Sequence, residues 1–191
     1  MALVVEVVQG SLTDGDERVL VNASNTNGRL GSGVSAAIRR ACGPGFQERI
    51  EAALDERFSG PMPPGEVLVT DAHEHPRARW VVHVAVMDYR GGGDPFPDEA
   101  RIRTGCEKLW PAVEGIEDPE PLSVAMVALG AGTGGLGVRL PTELACETLK
   151  AHLARTPDSK MARVRFYGWL DPEYREMSDV IARHFPDGCA G

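Results

Sequence analysis

The sequence predicts an α/β fold, a three-layer α/β/α sandwich around a mostly parallel, mixed central sheet. Three observations predict it. Short apolar, β-branched runs alternate with segments of helical periodicity along the whole chain. Two of those runs, Trp80 to Val86 and Ser123 to Leu129, are near-continuously apolar, the pattern of strands covered on both faces. Two strands run into glycine-rich loops, and ligands of such sheets bind beyond the carboxyl ends of strands.

In chain order, Leu3 to Val8 and Val19-Leu20-Val21 read as strands on either side of the polar turn Thr13-Asp14-Gly15-Asp16. The first strand is free to pair antiparallel at an edge. Val34, Ala37, Ile38 and Ala41 follow helical spacing to Cys42, where Gly43-Pro44 ends the helix, and a second helix spans Phe46 to Phe58. Residues 59–65 are too rich in Pro and Gly for regular structure and lead to a strand at Val67 to Thr70. Trp80 to Val86 is a strand, Pro97 to Trp110 a helix, Ser123 to Leu129 a strand, and Pro141 to Leu153 a helix that Pro141 delays. Val164 to Tyr167 and Pro172 to His184 complete the pattern with a strand and a helix. Without a repeat or a second core pattern, the 191 residues are expected to form one domain, 1–191.

The net charge of −8 argues against general nucleic-acid binding, and any anionic ligand would have to be met by oriented local donors. No segment reaches the roughly 18 apolar residues of a membrane span, and the N-terminus lacks a basic flank, so no membrane partner and a cytoplasmic location are expected. Cys42, Cys106, Cys146 and Cys189 form no Cys-x-x-Cys pair and are expected as reduced, mostly buried thiols. His73-Glu74-His75 lacks a second ligand cluster, so no metal is expected.

The first glycine loop, Val21 to Val34, leaves a strand and enters a helix near Gly33. Gly31 and Gly33 allow close backbone approach, and the helix dipole attracts phosphate. Asn22 and Asn25 both donate and accept, which suits sugar hydroxyls. The bland alternative is a helix start capped by Ser32, with asparagines filling turns. In the second loop, Gly130, Gly132 and Gly135 fit the G-x-G-x-x-G spacing of a dinucleotide-binding turn. That fingerprint belongs in the first βαβ unit, directly before its helix, and here it comes late. An NAD-type Rossmann oxidoreductase is therefore the remote alternative.

With both loops in hand, the chain resembles the macro domain family over nearly its whole length. Val21-Asn22-Ala23-Ser24-Asn25 is similar to the family's V-N-A-A-N, and Gly31-Ser32-Gly33-Val34-Ser35-Ala36-Ala37-Ile38 to its G-G-G-V-x-x-A-I. Ala41-Cys42-Gly43 is similar to the ending of that helix, and Trp80-Val81-Val82-His83 stands at its apolar strand ending in His. Gly130 to Gly135 resembles its S-x-G-I-Y-G loop, and Gln9-Gly10-Ser11-Leu12-Thr13 stands at its G-D-I-T.

The resemblance implies ADP-ribose as ligand, free or on a protein, with an ADP-ribosylated nucleobase as a further class, and no cofactor. It implies that Gly31, Ser32, Gly33 and Val34 pack on the diphosphate. Gly130, Gly132, Thr133, Gly134, Gly135 and Leu136 would close over it from the other side. Ser11 and Leu12 would lie at the adenine end, and Asn22 and Asn25 at the ribose. Trp169 falls where the family puts an aromatic that stacks on adenine, with Tyr167 as the second choice. The chain departs from the family at three places: Ser11 replaces the Asp of G-D-I-T, Ser35 the catalytic Asp that follows G-G-G-V in one hydrolase branch, and Thr133-Gly134 the Ile-Tyr that lids the distal ribose.

The implied activity is hydrolysis of the glycosidic or ester bond that links ADP-ribose to a macromolecule, an ADP-ribosylhydrolase reaction. Ser35 can orient a water but is too weak a base to deprotonate it, so a substrate diphosphate oxygen is expected to do so while Asn25 holds the ribose. Asp88, in the loop after the Trp80 strand, is a second candidate base. The competing expectation is a non-catalytic reader of ADP-ribose. Organisation as a stand-alone unit favours the enzyme over the reader.

Overall fold

The protein is described by a computed structural model, which covers residues 3–186 and 188–190. Its described residues form seven strands and five helices: β1 (Leu3–Gln9), β2 (Val19–Asn25), α1 (Gly33–Cys42), α2 (Phe46–Phe58), β3 (Val67–Asp71), β4 (Trp80–Met87), α3 (Glu99–Glu114), β5 (Leu122–Met126), α4 (Arg139–Arg155), β6 (Met161–Gly168), α5 (Asp171–His184) and β7 (Cys189–Ala190). A 3-10 turn at Leu12–Asp14 links β1 to β2.

One sheet runs in the order β3-β4-β2-β5-β6-β1-β7. The strands β4, β2, β5, β6 and β1 are mutually parallel; β3 is antiparallel to β4, and the two-residue β7 is antiparallel to β1. The first strand does pair antiparallel near an edge, with β7, but it lies one strand in, since its other neighbour β6 is parallel to it; β3 forms an antiparallel edge on the opposite side.

The period of two along each strand sorts side chains into two cores. Val19 and Val21 of β2 and Val82, Val84 and Val86 of β4 face the layer of α3, α4 and α5. Leu20, Val81 and Ala85 face the layer of α1 and α2, where Ile38, Cys42, Phe46 and Ile50 are fully buried. Phe46 and Trp110 are the largest fully buried side chains, and truncating either to alanine is expected to cost about 3–5 kcal/mol.

Three element bounds differ from the sequence expectation in ways that shape the site. β2 continues to Asn25 because its ladder with β4 persists as far as Asn25 opposite Met87, so Asn22 belongs to a strand and not a loop. β5 stops at Met126, which frees Val127 to Leu129 as the start of the second loop. α4 begins at Arg139 with Pro141 inside its first turn, where a missing N–H breaks no helical bond. Cys42, Cys106 and Cys146 are buried free thiols, and burial pushes each up to about 12. The Cys189 side chain lies outside the described residues. No described helix is long and apolar enough to cross a membrane.

Candidate functional site

Because β4, β2, β5 and β6 are parallel, the loops that follow them leave the same edge of the sheet. They enclose a cleft of about 520 Å³. The cleft floor is the end of β2 and the start of α1, and its opposite wall is the loop between β5 and α4.

At the floor, α1 starts without a side-chain cap: Ser32 makes no capping hydrogen bond. The bland reading of Ser32 therefore fails. The first-turn N–H groups and the positive end of the helix dipole are left for an anion. Gly31, Ser32, Gly33 and Val34 all line the cleft. A Cβ built on Gly31 or Gly33 would meet no protein atom within 4 Å. Packing within the protein does not explain their bareness, although Gly33 also has φ of +53°.

The asparagines divide their work. Asn22 lies on the α1 side of the sheet, fully buried, and takes no place in the cleft lining. Its Nδ2 donates to His83 Nδ1 at 3.1 Å, and its Oδ1 accepts from Ser35 Oγ at 2.8 Å. Since Asn22 donates to Nδ1, the His83 proton sits on Nε2 and is donated to Thr70 Oγ1 at 3.1 Å. Burial pulls His83 down to about 3, so the ring is neutral. The outcome is a one-way chain, Ser35 to Asn22 to His83 to Thr70, that turns the serine proton away from the cleft.

Asn25 lines the cleft, yet its carboxamide is engaged by the first loop. Oδ1 accepts from the N–H groups of Asn27 and Arg29, each at 3.1 Å, and Nδ2 donates to the Arg29 carbonyl at 2.9 Å. One Nδ2 hydrogen remains for a ligand.

In the second loop, Gly130, Gly132, Thr133 and Gly134 line the cleft, and a Cβ on Gly132 would again meet nothing within 4 Å. Gly135 and Leu136 do not line it. The Gly135 N–H closes a turn onto the Gly132 carbonyl, and Leu136 folds back on Gly130, to whose carbonyl its N–H donates. Gly135 is followed by irregular chain and not at once by the helix that a Rossmann fingerprint requires, since α4 starts only at Arg139.

Two aromatic rings stand at the β6 end. Tyr167 is nearly buried, lines the cleft, and donates its hydroxyl to Glu17 Oε2 at 2.9 Å, while Trp169 lines the rim with 69% of its surface exposed. Among the described residues Glu173 is the one carboxylate in the lining. Its Oε2 accepts from the backbone N–H groups of Trp169 and Leu170, which anchors the Trp169 backbone to α5.

Several expected residues lie elsewhere. Ser11 caps the 3-10 turn and bonds Thr13 Oγ1 at 2.8 Å, Leu12 is buried in the core that also holds Leu20 and Tyr167, and neither lines the cleft. Asp88 is also outside the lining. Both its carboxylate oxygens accept from Arg90, at 2.9 and 3.0 Å, and this bonding holds it down at about 2. A carboxylate so committed is a poor base, which corrects its candidacy. Conversely, Tyr89, Arg29 and Asn27 line the cleft and were not expected there. The signal for Tyr89 was its place beside three glycines after a strand.

With this geometry in place, the comparison with known proteins is specific. The model of the macro domain matches residues 21–145, more than half of the chain and the stretch that carries both glycine loops. The chain belongs to the macro domain family. This macro domain is 30% identical to an O-acetyl-ADP-ribose deacetylase of Cronobacter turicensis, over 82% of the chain and 84% of that protein. It is 33% identical to a macro domain-containing protein of Xanthomonas campestris, over 69% of the chain and 70% of that protein. Its fold superposes on a mutant Oceanobacillus iheyensis macrodomain with ADPR at a TM-score of 0.76 and 20% identity, covering 95% of the chain and 93% of the other. A Trypanosoma brucei macrodomain in complex with ADP-ribose gives 0.75 at 22% identity, covering 93% and 68%.

Proposed function

We propose that this macro domain binds ADP-ribose in the cleft and hydrolyses the glycosidic or ester bond that joins it to a modified macromolecule. The observation that carries the reading is the bareness of Gly31, Gly33 and Gly132: three glycines from two loops that line one cleft, each with no protein atom within 4 Å of where a Cβ would stand, beside an uncapped helix N-terminus. A diphosphate fits that space and meets N–H donors there. The adenine end lies at Trp169 and Tyr167, and the diphosphate on the two loops. The distal ribose lies near Asn25 and Ser35.

In the glycosidic case, water attacks the anomeric carbon, its oxygen forms the new bond, and the bond to the acceptor breaks. A diphosphate oxygen takes one proton from the water and passes it on to the departing acceptor, which leaves protonated while the diphosphate returns to its anionic form. Ser35 supplies lone pairs that orient this water, because its own proton is held by Asn22. Positioning carries most of the rate in such a site.

A second reading, a reader that binds without cleaving, is favoured by one observation: among the described residues Glu173 is the only carboxylate lining the cleft, and it is bonded to backbone N–H groups. The deciding experiment incubates the protein with mono-ADP-ribosylated protein, ADP-ribosylated DNA and O-acetyl-ADP-ribose in parallel and follows ADP-ribose release. Release from any of them supports the hydrolase and names its acceptor. Tight calorimetric binding of ADP-ribose without release from any of them leaves the reader.

A further inference from the structure

The loop after β4, which contains Gly91-Gly92-Gly93, is tied down at its base. Its neck is closed by the Asp88 N–H donating to the Pro95 carbonyl at 2.9 Å. Arg101 Nη1 donates to the carbonyls of Val86, Pro95 and Phe96 at 2.9–3.2 Å. Between them, the Tyr89 N–H donates to Thr26 Oγ1 at 3.1 Å, and Thr26 Oγ1 donates to Asp88 at 3.3 Å. The Tyr89 backbone is thereby tied to the end of β2, while the residue is 49% exposed and lines the cleft.

The wall across the cleft offers no large side chain. Thr133 is small, and Gly134 is barred from carrying more: a Cβ there would strike the Gly130 carbonyl and come within 2.7 Å of Pro97 Cγ. The chain segment that excludes a side chain from the second loop is the same β4–α3 connection that presents Tyr89. Tyr167 and Trp169 stand at the end of β6, and Tyr89 at the end of β4. The strand order puts three interstrand spacings between these ends, about 14 Å, with the bare glycines in the middle.

We propose that Tyr89 is the wall of the distal sugar subsite, packing on the second ribose and setting the preference for ligands that carry a sugar beyond the diphosphate. This rests on the ADP-ribose reading of the cleft. An aromatic face suits the C–H face of a furanose, and the ring would exclude water from the bond next to it. Arg29 and Asn27, on the same side, remain for the hydroxyls or the acceptor.

The test is calorimetric titration of wild type, Tyr89→Ala and Tyr89→Phe with ADP-ribose and with ADP, with circular dichroism to verify folding. The expected result is that Tyr89→Ala loses roughly three- to tenfold in affinity for ADP-ribose and keeps its affinity for ADP, while Tyr89→Phe keeps both. Equal losses for the two ligands, or none for either, in the folded variant would overturn the role of Tyr89 and leave the cleft assignment standing. Failure of the wild type to bind either ligand would overturn the ADP-ribose reading itself, and the inference with it.

Discussion

The Asn25 carboxamide grips the backbone of Arg29 from both sides, accepting from its N–H at 3.1 Å and donating to its carbonyl at 2.9 Å. This asparagine is therefore the clamp of the first loop as well as a lining residue. Asn25→Ala removes those bonds together with that to Asn27, and a stability loss of about 1–2 kcal/mol is expected. ADP-ribose affinity should fall by about tenfold or more as the loop loosens. Hydrogen exchange separates the two roles. Faster exchange at the Asn27 and Arg29 amides is the expected result, and unchanged protection with lost affinity would mean that Asn25 acts by touching the ligand alone.

Gly33→Glu tests the diphosphate seat. The new Cβ meets nothing, and the positive φ costs on the order of 1 kcal/mol, so the variant should fold. A carboxylate there repels a diphosphate at close range, and affinity should fall by at least about tenfold. Unchanged calorimetric affinity in the folded variant would remove the loop assignment.

His83 gives the fold a pH dependence. Its folded value is about 3 against 6.5 for an ordinary histidine, so between those values the unfolded chain takes a proton that the native ring refuses. The stability it lends is complete above pH 6.5 and drains as pH falls toward 3. The expected slope from this group is about 1.4 kcal/mol per pH unit below pH 6. Urea denaturation of wild type and His83→Gln at pH 7, 6 and 5 reads it directly: the wild type should lose ground faster. Parallel curves would place the buried proton elsewhere.

Asp88 should behave in the opposite range. Its carboxyl is held at about 2, chiefly by Arg90, so its contribution is present above the ordinary value near 4 and is lost as pH falls through 2. Asp88→Asn should thus destabilise the loop at pH 7 and differ little from wild type near pH 2. A titration of ADP-ribose release between pH 5 and 9 should show no ionisation that Asp88→Asn removes, and the disappearance of one would restore Asp88 as a base.

What the sequence made legible was periodic or local. The apolar runs of β4 and β5 and the helical spacing of α1 sufficed for the layers, because strands buried on both faces read as short β-branched apolar runs and a half-buried helix as a stripe. What it hid was non-local. Asn22 reads like Asn25 in sequence, but the pleat turns Asn22 toward His83 and Ser35, a partnership across 61 residues that spacing cannot reveal. Asp88 looked like a free loop acid until Arg90 closed on it. The place of Ser11 in the family motif said where its backbone would lie, and the 3-10 turn then spent its hydroxyl on Thr13.

The glycines of the second loop offer the sharpest separation of packing from function. Gly132 and Gly134 are two residues apart, and neither has a positive φ. At Gly134 a methyl group would collide with the Gly130 carbonyl and Pro97, so Gly134→Ala should cost about 1–3 kcal/mol of stability. At Gly132 it would project into the open cleft, so Gly132→Ala should keep the wild-type melting behaviour to within about 0.5 kcal/mol. Binding should rank the other way in cause: the Gly132 variant, fully folded, should lose ADP-ribose affinity because the methyl group occupies ligand space. Denaturation and calorimetry on the pair decide it. A stable Gly132→Ala protein with wild-type affinity would mean that the ligand does not approach the second loop, and the diphosphate would then have to rest on Gly31 and Gly33 alone.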